Sequence, residues 1–205
     1  MVSEPFEADI SAWDAWDPKT VTERLRGVSA PWRVVGGWAL DLWRGEQTRD
    51  HGDLEIAVPE GGFDEVRERL SDLEFFVPCG DGRLVALDGA GDRYHDSHQT
   101  WGRDRAAGAY RVDVMRDPHD GDTWICRRER RIRRAYDEII GHTDDGIPYE
   151  IPELTLLFKA KHKREKDEAD FSASAPLLDT SARRWLRETL SELYGPEQPW
   201  VARLA

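Results

Sequence analysis

Hydrophobic and polar positions change their period along the chain. Trp32–Val35 is a short apolar run closed by Gly36-Gly37, and residues 38–44 have helix-compatible spacing that stops at Gly45. Leu54, Ile56 and Val58 then alternate with Asp53, Glu55 and Ala57, the period-two signature of a half-buried strand, and Pro59 ends it. Phe63, Val66, Leu70 and Leu73 recur at helical intervals. Further strands are predicted over 74–77, 83–88, 110–115, 123–126 and 147–151, with Gly80-Asp81-Gly82 as a hairpin signal. From Pro152 the pattern turns helical. One helix is predicted over 153–163, with 165–173 as its continuation or a second helix. Another covers 181–194, capped by Asp179 or Thr180 and closed at Gly195-Pro196. No internal repeat or low-complexity segment is visible. The pattern predicts an α+β chain: a mixed β-sheet with flanking helices over 1–150, followed by a small C-terminal helical lobe over 151–205.

Composition narrows the class. The 205 residues include nine Trp, six Phe and five Tyr, enough large apolar groups for a packed core. No apolar stretch approaches the about 18 residues of a membrane helix. MVSEPFEADI has neither a basic nor an apolar leader region, and two cysteines make no disulfide framework, so a cytoplasmic protein is expected. Lys and Arg number 29 against 41 Asp and Glu, a net charge of -12. Residues 151–205 carry nine of each sign, so the whole deficit lies in 1–150. Such a balance argues against non-specific nucleic-acid binding and against an anionic membrane surface. The sequence carries no signature of oligomeric state.

Candidate chemistry concentrates in 34–58. Side chains two apart on a strand project from one face, so Asp53 and Glu55 point together, opposite Leu54 and Ile56. Adjacent carboxylates of this kind suit a hard divalent cation such as Mg²⁺. Asp113 lies in a similar context, between Val112 and Val114. If its strand pairs with 53–58, three carboxylates gather as in a two-metal phosphoryl-transfer site, with Asp104 as a competitor for the third place. Gly36-Gly37 before a helix offers close backbone approach and free N–H groups to a phosphate.

Gly36, Gly37, Trp38, Ala39, Asp41, Arg49, His51, Asp53 and Glu55 together resemble the DNA polymerase β-type nucleotidyltransferase superfamily, and most of all the aminoglycoside-2''-adenylyltransferase family, with lincosamide nucleotidyltransferases as near neighbours. Pro152–Lys161 and Arg164–Phe171 resemble that family's helical lobe, and the similarity spans roughly 30–175. The resemblance implies a nucleotidyltransferase-like fold and a Mg²⁺-dependent enzyme. It would move an NMP group, AMP where the donor is ATP and the matching NMP where it is another NTP, onto a hydroxyl of a small cationic acceptor such as an aminoglycoside, an antibiotic-resistance activity, with release of pyrophosphate. It implies that Gly36 and Gly37 hold the triphosphate, that Asp53 and Glu55 bind metal, and that Asp113 is the third ligand or the base for the acceptor. Glu55 stands where many relatives have Asp.

The remaining polar residues carry paired readings. His51 either contacts nucleotide or orders its loop, and Arg49 either meets phosphate or pairs with Asp50 or Asp41. Lys159, Lys163 and Lys166, at i, i+4 and i+7, are expected on one helix face, with Lys159 or Lys163 on the β- and γ-phosphates, or else as a solvated face. Asp167 and Asp170 are expected in an internal ion-pair network. The arginines at 127, 128, 130, 131, 133 and 134 are either a phosphate track or partners of local carboxylates. His95 and His98 lack companions for a zinc site, and Trp13 and Trp16 are expected to pack. An acidic cleft would draw in a polycation. The alternatives are a toxin-type transferase acting on tRNA or protein, and a non-catalytic nucleotide-binding module of the same fold.

Overall fold

The computed structural model describes residues 3–161 and 164–205. In chain order the first half comprises β1 (Phe6–Glu7), α1 (Pro18–Arg24), β2 (Arg33–Val35), α2 (Gly36–Arg44), β3 (Glu55–Pro59), α3 (Phe63–Arg69), β4 (Leu73–Pro78), β5 (Arg83–Ala86), α4 (Arg93–Asp96) and β6 (Gln99–Asp104). The second half comprises β7 (Tyr110–Asp117), β8 (His119–Asp120), β9 (Thr123–Ile125), β10 (Arg133–Ala135), α5 (Tyr136–Ile139), β11 (Ile140–His142), β12 (Pro148–Glu150), α6 (Pro152–Lys159), α7 (Glu165–Ser174), α8 (Thr180–Tyr194) and α9 (Pro199–Arg203).

Nine strands form one mixed sheet in the order β1-β5-β4-β6-β7-β3-β2-β12-β11, and β8–β10 form a small second sheet. The expected alternation decides the sheet's two faces. Leu54, Ile56 and Val58, with Val112 and Val114 of β7, bury against Val21, Leu25, Phe63, Val66 and Leu70 of the helical layer. The opposite face of the same strands carries Glu55, Ala57, Asp113 and Met115. There only Val35, Ala57 and Met115 make a small apolar floor. One face is thus core and the other is free to carry a site.

Helix α2 starts two residues earlier than its spacing predicts, so Gly36 and Gly37 form its first turn. It ends where expected: Gly45 takes φ 75°, and its N–H bonds back to Asp41 and Leu42. Asp179 caps α8 by accepting from the Ala182 N–H at 2.8 Å. The predicted helix over 153–163 stops at Lys159, with Ala160 as its C-cap, and α7 follows as a separate helix. Lys159 and Lys166 therefore do not share one helix face.

The helical lobe has no core of its own. Leu154, Leu157, Phe171, Leu186, Leu190 and Trp200 pack in one cluster with Leu40, Trp124, Tyr136 and Ile139 from the first 150 residues. Phe171 and Trp200 stack with centroids 4.1 Å apart. The lobe is anchored along α2 and closes over the free face of the sheet. No helix of the described residues is long and apolar enough to cross a membrane.

Candidate active site

The free face of β3 and β7 brings two of the three expected carboxylates together. The strands pair in parallel with Glu55 opposite Asp113, and the Asp113 N–H donates to the Leu54 carbonyl at 2.8 Å. Asp53 lies just before β3 and is exposed. Asp113 is nearly sealed, with 4% of its surface exposed. Its Oδ2 accepts from Gln99 Nε2 at 2.7 Å, while Oδ1 is buried with no hydrogen-bond partner among the described residues.

Electrostatics mark the pair as uncompensated. Burial, and after it the Glu55 charge, pushes the Asp113 carboxyl up to about 7. Burial and the Asp53 charge raise Glu55 as well, opposed by the charges of Lys159, Lys166 and Arg127. Desolvated anions side by side need a cation or a proton between them. An orphaned Oδ1 beside the partly buried Glu55, with exposed Asp53 at the strand entrance, fits an oxygen-seeking divalent ion. Among the described residues no three such groups stand close enough to form a finished metal cluster.

Gly36 sits against this pair for a steric reason. It has φ 70°, and a Cβ there would collide with Glu55 Oε2. The N-cap residue, Val35, offers no side-chain acceptor, so the first N–H groups of α2 have no side-chain cap. Gly37 serves a different neighbour: a Cβ there would meet Arg49 Nη2 and the His51 ring, with Cε1 at 2.7 Å.

Both carboxylate strands open on a cleft of about 660 Å³, lined by Gly36, Glu55, Ala57, His98, Gln99, Phe158, Lys159 and a set of arginines. Of the other predicted residues, Gly37, Asp53, Asp113, His51 and Arg49 are not among its lining residues. His51 Nε2 is 2.6 Å from Asp41 Oδ2, its ring stacks on Trp38 at 4.3 Å, and burial lowers its pKa. It therefore orders the loop. Arg49 reaches both oxygens of Asp170 at 3.2 Å, where Asp50 or Asp41 was the expected ion-pair partner.

Lys159 does line the cleft, and its charge is shared with two carboxylates, its Nζ lying 2.8 Å from Asp170 and 3.5 Å from Asp167. The internal network expected of Asp167 and Asp170 is present, with Arg164 as a further member. Lys163 lies outside the described residues. Asp104 is no competitor for the third carboxylate: it caps a turn, accepting from Ala106 and Ala107 N–H groups at the far end of β6. Trp13 packs on Trp101 and Tyr110, as expected.

The sign of the lining departs from the acidic cleft expected. Cations outnumber carboxylates along the walls, and Glu60 and Asp96 supply the exposed acidic rim. Arg127 and Arg128 point into the cleft. By contrast, Arg131 pairs with Glu129 and Glu192, Arg133 with Asp120, and Arg134 with Glu153. At the other end of the floor Arg33, 1% exposed, bridges Asp117 at 2.8 Å and Glu150 at 3.0 Å, and Thr155 donates to the free Glu150 oxygen.

Gln99 and Arg33 had no legible sequence signal. The arginine run was visible, but the run alone does not say which two members enter the cleft.

Comparison with known proteins places this geometry in context. The family model described as aminoglycoside-2''-adenylyltransferase matches residues 19–131. No curated protein matches the chain in sequence. A crystal structure of ANT(2'')-Ia in complex with adenylyl-2''-tobramycin is similar in fold, with TM-score 0.59 and 12% identity over 86% of this chain and 95% of that one. A solution structure of ANT(2'')-Ia gives TM-score 0.56 and 12% identity over 95% of this chain and 97% of that one. Lincomycin-bound LnuA, a lincosamide antibiotic adenylyltransferase, gives TM-score 0.52 and 17% identity over 75% of this chain and 91% of that one.

Proposed function

The chain belongs to the aminoglycoside-2''-adenylyltransferase family and is a nucleotidyltransferase, and from that premise we propose that it transfers AMP from ATP to a hydroxyl of a small cationic acceptor of the aminoglycoside class. The observation that carries the reading is the register pair Glu55–Asp113, uncompensated and beside an α2 N-terminus that no side chain caps. Mg²⁺ held by Asp53, Glu55 and Asp113 would offset charge on the α-phosphate and on the departing pyrophosphate.

The chain's own residues carry the other roles. Asp113 has one unpartnered oxygen, Oδ1, which either completes the Mg²⁺ set or takes the acceptor's proton, a role that its carboxyl, raised to about 7, suits. Gln99 holds Oδ2 and so fixes the carboxylate plane. Gly36 keeps the helix N-terminus open to phosphate oxygens without displacing Glu55. His51 and Asp41 brace the loop that delivers Asp53.

The cationic lining of the cleft suits a triphosphate, so a cationic acceptor rests on the family and on the charge outside the cleft. The deficit of residues 1–150 sets a negative outer field, and exposed Glu60 and Asp96 mark the cleft's rim. A tRNA acceptor needs a continuous basic track, whereas Arg131, Arg133 and Arg134 are matched with carboxylates.

The deciding experiment is a pyrophosphate-release screen of NTPs against aminoglycosides, lincosamides and tRNA with Mg²⁺, alongside Asp53→Asn. Release with ATP and an aminoglycoside, lost in a folded Asp53→Asn protein, is the expected result. Equal turnover in that variant, or release only with tRNA, overturns the reading.

A further inference from the structure

Arg127 and Arg128 differ from the rest of their run. Both guanidiniums lie against one ring, 4.7 and 4.9 Å from the Phe158 centroid. Both line the cleft and are half-buried. Among the described residues neither has a carboxylate within ion-pair distance. Arg128 donates only to neutral oxygens, the Leu157 carbonyl at 3.1 Å and the Tyr194 hydroxyl at 3.3 Å.

Two like charges on one aromatic ring repel, and partial burial strengthens the repulsion. The Phe158 face offsets some of it through cation–π attraction, but it cannot neutralise charge. The pair therefore lacks an anion. His98, on the facing wall, experiences the same field: burial and then the charges of Arg127, Arg116 and Arg128 depress it to about 4, leaving it neutral near pH 7.

We propose that Arg127 and Arg128, seated on Phe158, bind the β- and γ-phosphates of the nucleotide and retain them as pyrophosphate leaves toward the helical lobe. This rests on the transferase reading above. In the transfer step the acceptor oxygen forms a bond to the α-phosphorus and its proton passes to Asp113. The bond from the α-phosphorus to the α,β-bridging oxygen breaks, and its electron pair stays on the pyrophosphate. The two fixed guanidiniums receive that growing charge, a task planar bidentate donors suit better than Lys159, which is already paired. Gly36 and Glu55 line the same cleft as the two arginines, which lie on Phe158 of the helical lobe.

The test is equilibrium binding of inorganic pyrophosphate, ATP and AMP to the full chain by calorimetry, with NTP KM measured where turnover is found. Arg127→Gln is the cleanest variant, because among the described residues the Arg127 side chain makes no hydrogen bond whose loss would disturb folding. Arg128→Lys keeps the charge but loses the fork, and Arg133→Gln, paired with exposed Asp120 outside the cleft, is the control. Arg127→Gln is expected to weaken pyrophosphate and ATP at least about tenfold and leave AMP unchanged. Arg128→Lys should show a smaller loss and Arg133→Gln none.

The proposal is overturned if Arg127→Gln binds pyrophosphate like the parent, if AMP weakens as much as ATP, or if tRNA binding is what the variant loses. The two readings fail separately. Transfer with an unaltered NTP KM in Arg127→Gln sinks the anion seat alone. Loss of pyrophosphate binding in a protein that modifies no acceptor sinks the transferase reading alone.

Discussion

Glu55 and Asp113 face each other across the parallel β3–β7 pair, tied by the backbone bond from Asp113 N–H to the Leu54 carbonyl. Because the ladder holds them, the two carboxylates cannot relieve their repulsion by moving apart. Asp113→Asn should therefore abolish the proton-accepting and cation-holding roles together, lowering transfer at least about 100-fold. The same change removes one of two uncompensated buried anions, so the melting temperature in EDTA should equal or exceed the parent's. Steady-state rates and thermal melts on one preparation check both. A clearly lower melting temperature with retained turnover contradicts the account.

The raised Asp113 carboxyl makes metal-free stability pH-dependent. Folded, it titrates at about 7; unfolded, at about 3.9, the ordinary aspartate value. Between these values the folded state binds the extra proton, so stability in EDTA is greatest at the acid end and falls as pH rises through the folded value. Mg²⁺ should reduce the loss above neutral pH by taking the proton's place. Melting curves from mildly acid to mildly alkaline pH are expected to slope downward for the parent and to be flatter for Asp113→Asn.

Gly36 and Gly45 both hold left-handed backbone, but their surroundings differ. A Cβ at Gly45 meets nothing within 4 Å, whereas at Gly36 it strikes the Glu55 carboxylate. Gly45→Ala should cost about 1 kcal/mol of backbone strain and leave transfer intact. Gly36→Ala should cost more and lose activity as Glu55 is pushed out of register with Asp113. Urea denaturation with activity assays separates the two; an active Gly36→Ala protein would sink the packing argument.

Among the described residues Arg33 is the sole cation paired with two buried carboxylates, Asp117 and Glu150. Arg33→Met strands both and is expected to cost about 3–5 kcal/mol. Adding Asp117→Asn and Glu150→Gln should recover most of that loss, because the penalty comes from unpaired charge and not from the missing side chain. A triple variant as unstable as Arg33→Met would assign the cost to packing.

His51 bonds to Asp41 and stacks on Trp38, with Gly37 beneath it. His51→Ala should cost about 1–3 kcal/mol by leaving Asp41 short of a partner. Nucleotide affinity should change less than stability, which distinguishes a loop brace from a nucleotide ligand.

Legibility along the chain follows from side-chain period. The face of Glu55 was readable because Leu54, Ile56 and Val58 alternate strictly, and alternation assigns a face. Strand β6 was not. Its inward positions are Thr100 and Gly102, where a Cβ at Gly102 would come within 2.8 Å of Leu73 Cδ1, so the strand has no apolar rhythm to read. Gln99, which begins that strand and braces Asp113, went unseen with it. The lysine face failed for the opposite reason: a helical rhythm continued on paper through Ala160, where the chain leaves the helix.

The amino-acid order alone determined the α+β class, the face on which Glu55 points and a helix that ends at Gly45, while the nucleotidyltransferase-like fold came from the resemblance of the motif. The first three are consequences of local geometry, since period and capping are settled within a few residues of each position. Only the tertiary structure decided that Asp113 stands opposite Glu55, that Arg49 and Lys159 are spent on Asp170, and that two arginines of six enter the cleft. Those outcomes depend on strand register and on how the lobe packs over the sheet. Both are fixed by contacts between residues far apart in the chain, which no local pattern encodes.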